Sequence, residues 1–377
     1  MISESTESTT ETPNNTNPPF EVSIIGGGII GLNLALGLLR RNIPVAIYEK
    51  ASELKGIGAG IGFSATVQEC MSYLDPRISA ILSKIGFVEN QPLRWVDASK
   101  KDEDFSMRGP DELFDMKLPL ERSYVLCHRA VLVDELVKLL PEGCLRLGKR
   151  LEGIEQRTDT GKVVMSFMDG TKVESDAAFV RDNDRDWPDY SEQTVQASKA
   201  EIIGAFVDFN PMIRRLLEVL PDQQSWWGLF DTLDYPLQSY VDGCVAVAGD
   251  AAHGSTPHHG MGAGIGIEDA VVLVTILEKA NQRLSSDAAA TPESKRMAIS
   301  RAFETYDAIR RERSQWHVAS SRRQGQLNKW ELPEIRNVDD FVRDTMERAS
   351  RVYTYNWRLE VQQSIQDYEQ KMANTEE

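Results

Sequence analysis

The stretch EVSIIGGGIIGLNLALGLLRRNIPVAIYEK, residues 21–50, decides the fold of this chain. A short apolar run at residues 22–25 is typical of a buried parallel strand. The apolar residues 29–39, which follow a glycine-rich turn, predict a helix, and residues 44–48 predict a second strand. This order of strand, turn, helix and strand predicts an α/β fold built on a parallel sheet.

The turn between this first strand and the helix carries the pattern G-x-G-x-x-G at Gly26, Gly28 and Gly31. In a dinucleotide site the first glycine permits the tight turn, the second admits a pyrophosphate, and the third lets helix and strand pack closely. Glu49 follows the second strand at about the spacing of a carboxylate that binds an adenosine ribose. An acid there disfavours a ribose 2′-phosphate, so these residues predict a Rossmann-like site for NAD or FAD.

Composition limits the classes of protein to which the chain can belong. With 377 residues, 41% apolar and 27% charged, it is typical of a soluble globular protein of two or three domains. A formal net charge of −16 argues against nucleic-acid and anionic-membrane partners. Residues 1–19 are polar and predict a disordered leader, neither a signal peptide nor an anchor. We therefore expect a cytoplasmic protein.

Two residue classes show no pattern of a site. The cysteines lack CxxC spacing, so they predict no metal site and read as buried or free thiols in a reducing compartment. The arginines near residues 310–323 are interrupted by an acid and read as a solvated or ion-paired helix face. These residues are Cys70, Cys127, Cys144 and Cys244, and Arg310, Arg311, Arg313, Arg322 and Arg323.

A second strand–acid–glycine–helix arrangement occurs in GDAAHGSTPHHGMGAGIGIEDA. Residues 245–248 predict a strand that ends near Asp250, and several glycines precede an apolar helix predicted at residues 267–277. A glycine-rich loop that opens onto a helix N-terminus makes an anion site. Asp250 alone is equally well read as a strand-end cap, but two such arrangements in one chain favour binding. The glycines are Gly260, Gly262, Gly264 and Gly266.

Two weaker signals lie between these arrangements. The glycine cluster KGIGAGIGF, which includes Gly62, reads as a flexible loop or as a second approach of backbone to the cofactor. Residues 127–140 predict an amphipathic helix with Arg129 at its start. A guanidinium there can bind a pyrophosphate bidentately, although a surface arginine is the commoner case.

Together these motifs resemble the FAD-dependent aromatic hydroxylases, the family of salicylate hydroxylase and para-hydroxybenzoate hydroxylase. The resemblance rests on GGGIIG with Glu49, GAGIGF, HRAVLVDEL around Arg129, the GDAAH stretch and the helix carrying RRERSQ. It covers most of residues 20–325. It implies FAD as cofactor, with NADH or NADPH as co-substrate.

The resemblance also implies roles for individual residues. Glu49 would bind the adenosine ribose, Arg129 the pyrophosphate and Asp250 the ribitol chain. Backbone at Gly62 and at Gly262–Ala263 would approach the flavin.

A helix beginning near Ile265 would direct its positive end at the flavin pyrimidine ring and stabilise the reduced form. His253, His258 and His259 are candidate general bases. Because this loop acts through its backbone in the family, the catalytic side chains stay unassigned.

The implied chemistry is that of an FAD-dependent monooxygenase. NAD(P)H would reduce FAD, O2 would form a C4a-hydroperoxide, and the distal oxygen would pass to a phenolic or other aromatic substrate. Partners would be that small molecule and O2, with no nucleic acid and no membrane, in a monomer or homodimer.

The implied fold is α/β, with a discontinuous Rossmann-like FAD-binding domain at residues 20–75, 120–180 and 243–282. A smaller, shortened substrate-covering sheet would take residues 76–119 and 181–242. Residues 295–377 would form a C-terminal helical segment.

The chain departs from the family pattern after Ser175. The family carries G-A-D-G there, whereas this chain reads SDAAFVRDNDRDWPDY and is shorter before GDAAH. This predicts an internal deletion near Ala177 and Ala178, with residues 178–180 belonging further along the middle sheet. The alternative function is therefore a degenerate flavin-binding protein without hydroxylase activity. A plain NAD-dependent dehydrogenase fits less well, because such an enzyme has no ribitol for GDAAH to hold.

Overall fold

The computed structural model describes residues 18–54, 60–89, 93–98, 112–116, 124–180 and 194–376. The strands are β1 (Val22–Ile25), β2 (Val45–Tyr48), β3 (Gly60–Phe63), β4 (Phe87–Glu89), β5 (Leu93–Val96), β6 (Glu112–Met116), β7 (Tyr124–His128), β8 (Leu145–Arg146), β9 (Leu151–Gln156), β10 (Val163–Phe167), β11 (Lys172–Ser175), β12 (Ala177–Val180), β13 (Thr194–Ser198), β14 (Gln223–Trp227), β15 (Val241–Asp242) and β16 (Val245–Val247). The helices are α1 (Ile29–Leu39), α2 (Ala65–Leu74), α3 (Pro76–Ile85), α4 (Arg129–Val137), α5 (Lys199–Ala205), α6 (Pro211–Glu218), α7 (Asp250–His253), α8 (Gly262–Ser286), α9 (Pro292–Asn328), α10 (Val338–Tyr353) and α11 (Trp357–Glu376).

A six-stranded sheet in the order β15–β16–β12–β1–β2–β8 forms the centre of the fold. All neighbours are parallel except the edge pair β15–β16. Strand β1 is buried along its whole length, as expected for a strand covered on both faces. On one side of β1 lie β2 and β8, and on the other lie β12 and β16. This change of direction is the switch point at which open α/β sheets bind ligands.

Smaller antiparallel sheets surround this centre. They pair β9–β10–β11, β3–β7–β4, β5–β6 and β13–β14. From Pro292 onward the described chain is helical, and α9 and α11 both pack against α8. The predicted α/β fold with a parallel sheet and C-terminal helices is confirmed.

Gly31 sets the distance between α1 and β1. A Cβ atom at this position would lie 2.1 Å from the carbonyl oxygen of Gly26 and 3.2 Å from Cγ2 of Ile24. Gly26 itself has φ of 110°, a conformation that other residues rarely adopt. The turn and the close packing of helix on strand therefore both depend on glycine.

Helix α8 runs through the interior and packs against α1, α2, α9 and α11. Most of its residues are buried, as expected for a helix that is apolar all round. The predicted start at residue 267 was wrong, because the helix begins at Gly262. Gly264 and Gly266 lie inside it, and a Cβ on Gly266 would come within 2.7 Å of Cδ1 of Ile30. These glycines let α8 approach its neighbours.

Two further predictions need correction. The helix predicted at residues 127–140 begins only at Arg129, because Cys127 pairs with Ile61 in the β3–β7 ladder. Residues 178–180 do not belong to the middle sheet. They form β12, which pairs with β1 and β16 at the centre, and an apolar strand suits that doubly covered position.

Some predictions fall outside the described residues. These are nearly all of the leader at 1–19, the glycines at 56 and 58, and the segment 181–193 that follows β12. The four cysteines are buried free thiols. Within the described residues, no helix has the length and apolarity needed to cross a bilayer.

Replacing Gly31 by alanine tests the close packing of α1 on β1. Because the new Cβ would meet a backbone oxygen that cannot rotate away, we expect a loss of about 3 kcal/mol in the free energy of unfolding. Urea unfolding measures it. Gly204 in α5 is the matched control, since a Cβ there meets nothing within 4 Å. Gly204→Ala should be neutral or stabilising by up to about 1 kcal/mol, and equal losses in both variants would contradict this account.

Candidate cofactor site

A small cavity at the carboxyl end of β1 brings the two glycine arrangements together. Its lining includes Gly26, Gly28 and Gly31 from the first arrangement and Asp250 from the second. Phe179 of β12 also contributes, so the cavity lies at the switch point of the sheet. Free N–H groups at the start of α1 border the same turn, where they favour an anion.

The Glu49 carboxylate is fixed beside the glycine turn. Its Oε2 accepts a hydrogen bond from the Gly27 N–H at 2.7 Å, and its Oε1 accepts one from the Ala51 N–H at 2.9 Å. Each carboxylate oxygen accepts more than one hydrogen bond. Glu49 is therefore oriented by backbone and keeps acceptor capacity for hydroxyl groups.

Tyr124 links the strand that carries Gly62 to the loop of residues 254–261, called here the second glycine loop. A Cβ on Gly62 would lie 2.1 Å from Cε1 of Tyr124, so the ring covers that glycine. The Tyr124 hydroxyl donates to the carbonyl of Gly260 at 3.1 Å. Burial raises the pKa of Tyr124 to about 12, which keeps this donor protonated.

Arg129 lies at the end of the same strand pair. Gly60 of β3 is paired with His128 of β7, and Arg129 follows directly as the first residue of α4. The structure thus positions Gly62 and Arg129 through one β-ladder. Gly262 and Ala263 are the first two residues of α8, and not a loop before it.

The turn that carries Asp250 is held by a buried carboxylate. Gly249 adopts φ of 63° and precedes the short helix α7. Its N–H donates to Oδ2 of Asp269 at 3.0 Å, and Nε2 of His253 lies 2.5 Å from the same oxygen. Both ends of α7 are therefore tied to one side chain of α8.

Asp269 belongs to a buried cluster of charges that none of the predicted sites includes. Arg310 is fully buried and donates to Asp269 at 2.9 Å, to Glu268 at 2.8 Å and to Glu360 at 2.8 Å. Arg313 adds a second guanidinium on Glu268. Burial by itself raises the pKa of Asp269, but its charged partners hold that pKa well below its usual range.

One signal for this cluster was present in the sequence. Glu268 and Asp269 stand side by side within an otherwise apolar run, and buried carboxylates require a cation. Arg311, Arg313, Arg322 and Arg323 are ion-paired along α9, whereas Arg310 of the same run is the buried partner.

The three histidines in and next to the second glycine loop have protein partners. Burial, aided by the nearby Arg348, lowers the pKa of His259 to about 4, so its ring is neutral at pH 7. The ring partners are Asp269 for His253, Thr256 for His258 at 3.0 Å, and Ser320 for His259 at 2.9 Å. This arrangement fits a role in shaping the loop.

Comparison with known proteins decides the family. The chain is 34% identical to the FAD-dependent monooxygenase pigN of Monascus ruber, across 94% of this chain and 98% of that protein. The chain belongs to the family of FAD-dependent monooxygenases. The model of an FAD binding domain family also matches residues 216–307 of this chain. Salicylate hydroxylase asL1 of Sarocladium schorii is 29% identical over 93% of this chain and 91% of its own length.

A solved structure titled salicylate hydroxylase substrate complex has the same fold. The two structures superpose over 92% of this chain with a TM-score of 0.72, and their sequences are 22% identical. The predicted resemblance to FAD-dependent aromatic hydroxylases is confirmed. The alignment with pigN spans 435 positions, more than the 377 residues of this chain, so part of the relative lies opposite gaps. This agrees with a chain that is shorter than its relatives.

Protonation of His259 should destabilise the fold at acidic pH. Its pKa is about 4 in the folded state and about 6.5 when unfolded, so the unfolded state binds more protons between these values. Stability is therefore lost as pH falls below 6.5. When the pH is lowered from 7 to 5, the free energy of unfolding of His259→Gln should fall by about 2 kcal/mol less than that of the wild type.

Urea unfolding at the two pH values measures this difference. His128→Gln, at an exposed histidine, serves as the control and should follow the wild-type curve. An unchanged pH dependence in His259→Gln would contradict the assignment.

Proposed function

We propose that this protein uses NADH or NADPH and O2 to hydroxylate a phenolic or related aromatic substrate with bound FAD. One oxygen atom replaces a ring hydrogen as hydroxyl, and the other leaves as water with two electrons from NAD(P)H. The observation that carries the proposal is that the first glycine turn and Asp250 of the second arrangement line one cavity at the switch point. The similarity to FAD-dependent monooxygenases over nearly the whole chain supports it.

The adenosine half of the cofactor would lie against the first arrangement. The turn at Gly26 and Gly28 lines the cavity and would bind the pyrophosphate at the N-terminus of α1. Glu49, held by two backbone N–H groups, would accept hydrogen bonds from the ribose hydroxyls. Arg129 would add a guanidinium to the pyrophosphate from the start of α4.

The flavin half would lie against the second arrangement. Asp250 borders the same cavity as Gly28 and would bind the ribitol hydroxyls. Gly262 and Ala263, as the first residues of α8, would present free N–H groups to the flavin ring. The positive end of this long helix would favour the negative charge of the reduced ring.

FAD supplies electron transfer and activation of O2 when bound. The chain has to fix the ring and exclude water from it. Tyr124 serves the first task, because it packs on Gly62 and holds the Gly260 carbonyl. The segments of residues 76–119 and 181–242 would cover the substrate.

Replacing Glu49 by glutamine tests the ribose contact. The amide nitrogen would face a backbone N–H in place of an acceptor, so one hydrogen bond is lost and the side chain turns. We expect FAD affinity to fall about 30-fold, which corresponds to about 2 kcal/mol for a hydrogen bond to a charged group. Quenching of flavin fluorescence on titration measures the Kd.

The control is Glu53→Gln, which removes an exposed acid four residues further along the same loop. It should bind FAD like the wild type. Equal affinity of Glu49→Gln and wild type would exclude Glu49 from the ribose site.

The complete reaction is tested with purified protein. Its visible spectrum should show bound flavin, and a phenolic acid from a screened panel should accelerate NADH or NADPH oxidation. Labelled O2 should place one heavy oxygen atom in the product. Bound flavin without any substrate-stimulated oxidation would favour the degenerate flavin-binding alternative. A protein that takes up no FAD would contradict the proposal.

A further inference from the structure

The last helix, α11, reaches the buried charge cluster through Glu360. Its Oε2 accepts from Nη1 of Arg310 at 2.8 Å, and the side chain is only 12% exposed. Arg310 in turn donates through Nε to Asp269 at 2.9 Å. Asp269 accepts the Gly249 N–H. A continuous chain of contacts therefore runs from the C-terminal helix to the residue before Asp250.

Arg310 has all five of its N–H donors engaged. Nε binds one acceptor and each terminal nitrogen binds two, which accounts for the full set of a guanidinium. One of these acceptors is the Ile265 carbonyl at 3.3 Å, in the first turns of α8. Acceptors from α8, from α11 and from Tyr355 thus set the orientation of Arg310. Loss of the Glu360 charge weakens the contact to α11 and leaves a buried N–H of Arg310 without its charged acceptor.

We propose that Glu360 is a positioning residue for FAD, acting through Arg310 on Asp269, on the Asp250 turn and on the start of α8. This inference rests on the proposed function, because it requires FAD to lie against that turn. Glu360 itself is behind Arg310 and does not reach the cavity that Asp250 lines. The C-terminal helix then contributes to cofactor affinity without touching the cofactor.

The charges around Glu360 make this contribution depend on pH. Burial raises the pKa of Glu360 to about 7 against the opposing effect of Arg310, and Glu268 adds to the rise. As pH falls through 7, protonation removes the carboxylate charge that orients Arg310. FAD affinity should therefore fall with pH over this range. Among the described residues, the titratable and charged groups that face the cluster are Arg310, Arg313, Tyr306 and His317 from α9, Glu268 and Asp269 from α8, Cys70 from α2, His253 from α7, and Tyr240 and Tyr355.

The experiment measures the Kd for FAD by fluorescence at pH 6, 7 and 8 in the full-length protein. For the wild type we expect the Kd to rise about tenfold from pH 8 to pH 6, within the range of couplings between distant sites. Glu360→Gln keeps the shape of the side chain without its charge. At every pH its Kd should equal the higher value that the wild type shows at pH 6. Arg358→Gln is the matched control, since it breaks an exposed ion pair between α11 and Glu69 of α2. It should keep the wild-type Kd and pH profile.

Several outcomes separate the positioning role from a merely structural one. Circular dichroism of the cofactor-free proteins establishes folding at each pH. A wild type that binds no FAD would contradict the proposed function and not this inference alone. A wild type that binds FAD with the same Kd as Glu360→Gln at all pH values would overturn the inference. If Glu360→Gln does not fold, the pH dependence of the wild type decides. A Kd for FAD that is the same at pH 6 and pH 8 would overturn the inference. A tenfold rise of the Kd from pH 8 to pH 6, in both the wild type and Arg358→Gln, would support it.

Discussion

The buried pairing of Arg310 with Asp269 is the interaction on which the rest of this structure depends. Neither side chain has any exposed surface, and removing one partner of such a pair costs about 3–5 kcal/mol because the other charge stays buried. Asp269 also holds the Gly249 N–H and His253. The pair therefore serves two purposes at once. It joins α8 to α9 in the core, and it sets the backbone of the turn beside Asp250.

The second constraint is the close approach of two glycine-containing backbone segments to Ile30, in the first turn of α1. A Cβ on Gly266 would lie 2.7 Å from this side chain, and one on Gly249 would lie 3.2 Å from it. Ile30 thus packs between the start of α8 and the strand-end turn of β16. Because Gly31 also lets α1 pack closely on β1, the two helix N-termini are fixed relative to the sheet. A preorganised pair of anion-favouring helix ends follows from these small residues.

The sequence predicted the local parts of this arrangement well. The bounds of β1, α1 and β2 follow from periodicity, and the four residues Gly26, Gly28, Gly31 and Asp250, which the motifs predict for one site, line one cavity. The start of α8 was missed, because glycine disfavours helix on propensity. Tertiary packing, of Gly264 on Val67 and of Gly266 on Ile30, accounts for glycine there. The charge cluster was missed for another reason. Its contacts join residues 41 and 50 positions apart, so the adjacent acids Glu268 and Asp269 indicate a buried cation without identifying it.

The chain is shorter than its relative pigN, yet the six-stranded sheet at the centre of the fold is complete. Strand β12, Ala177–Val180, lies within the stretch in which the family pattern is lost, yet it pairs in register with β1 and with β16. The turn of Asp250 is held by Asp269 of α8, and the first turns of α8 are held by Arg310 of α9 and Ile30 of α1. None of these contacts passes through residues 181–242. The shorter chain therefore keeps the contacts that hold the Asp250 turn and the first turns of α8 at the switch-point cavity.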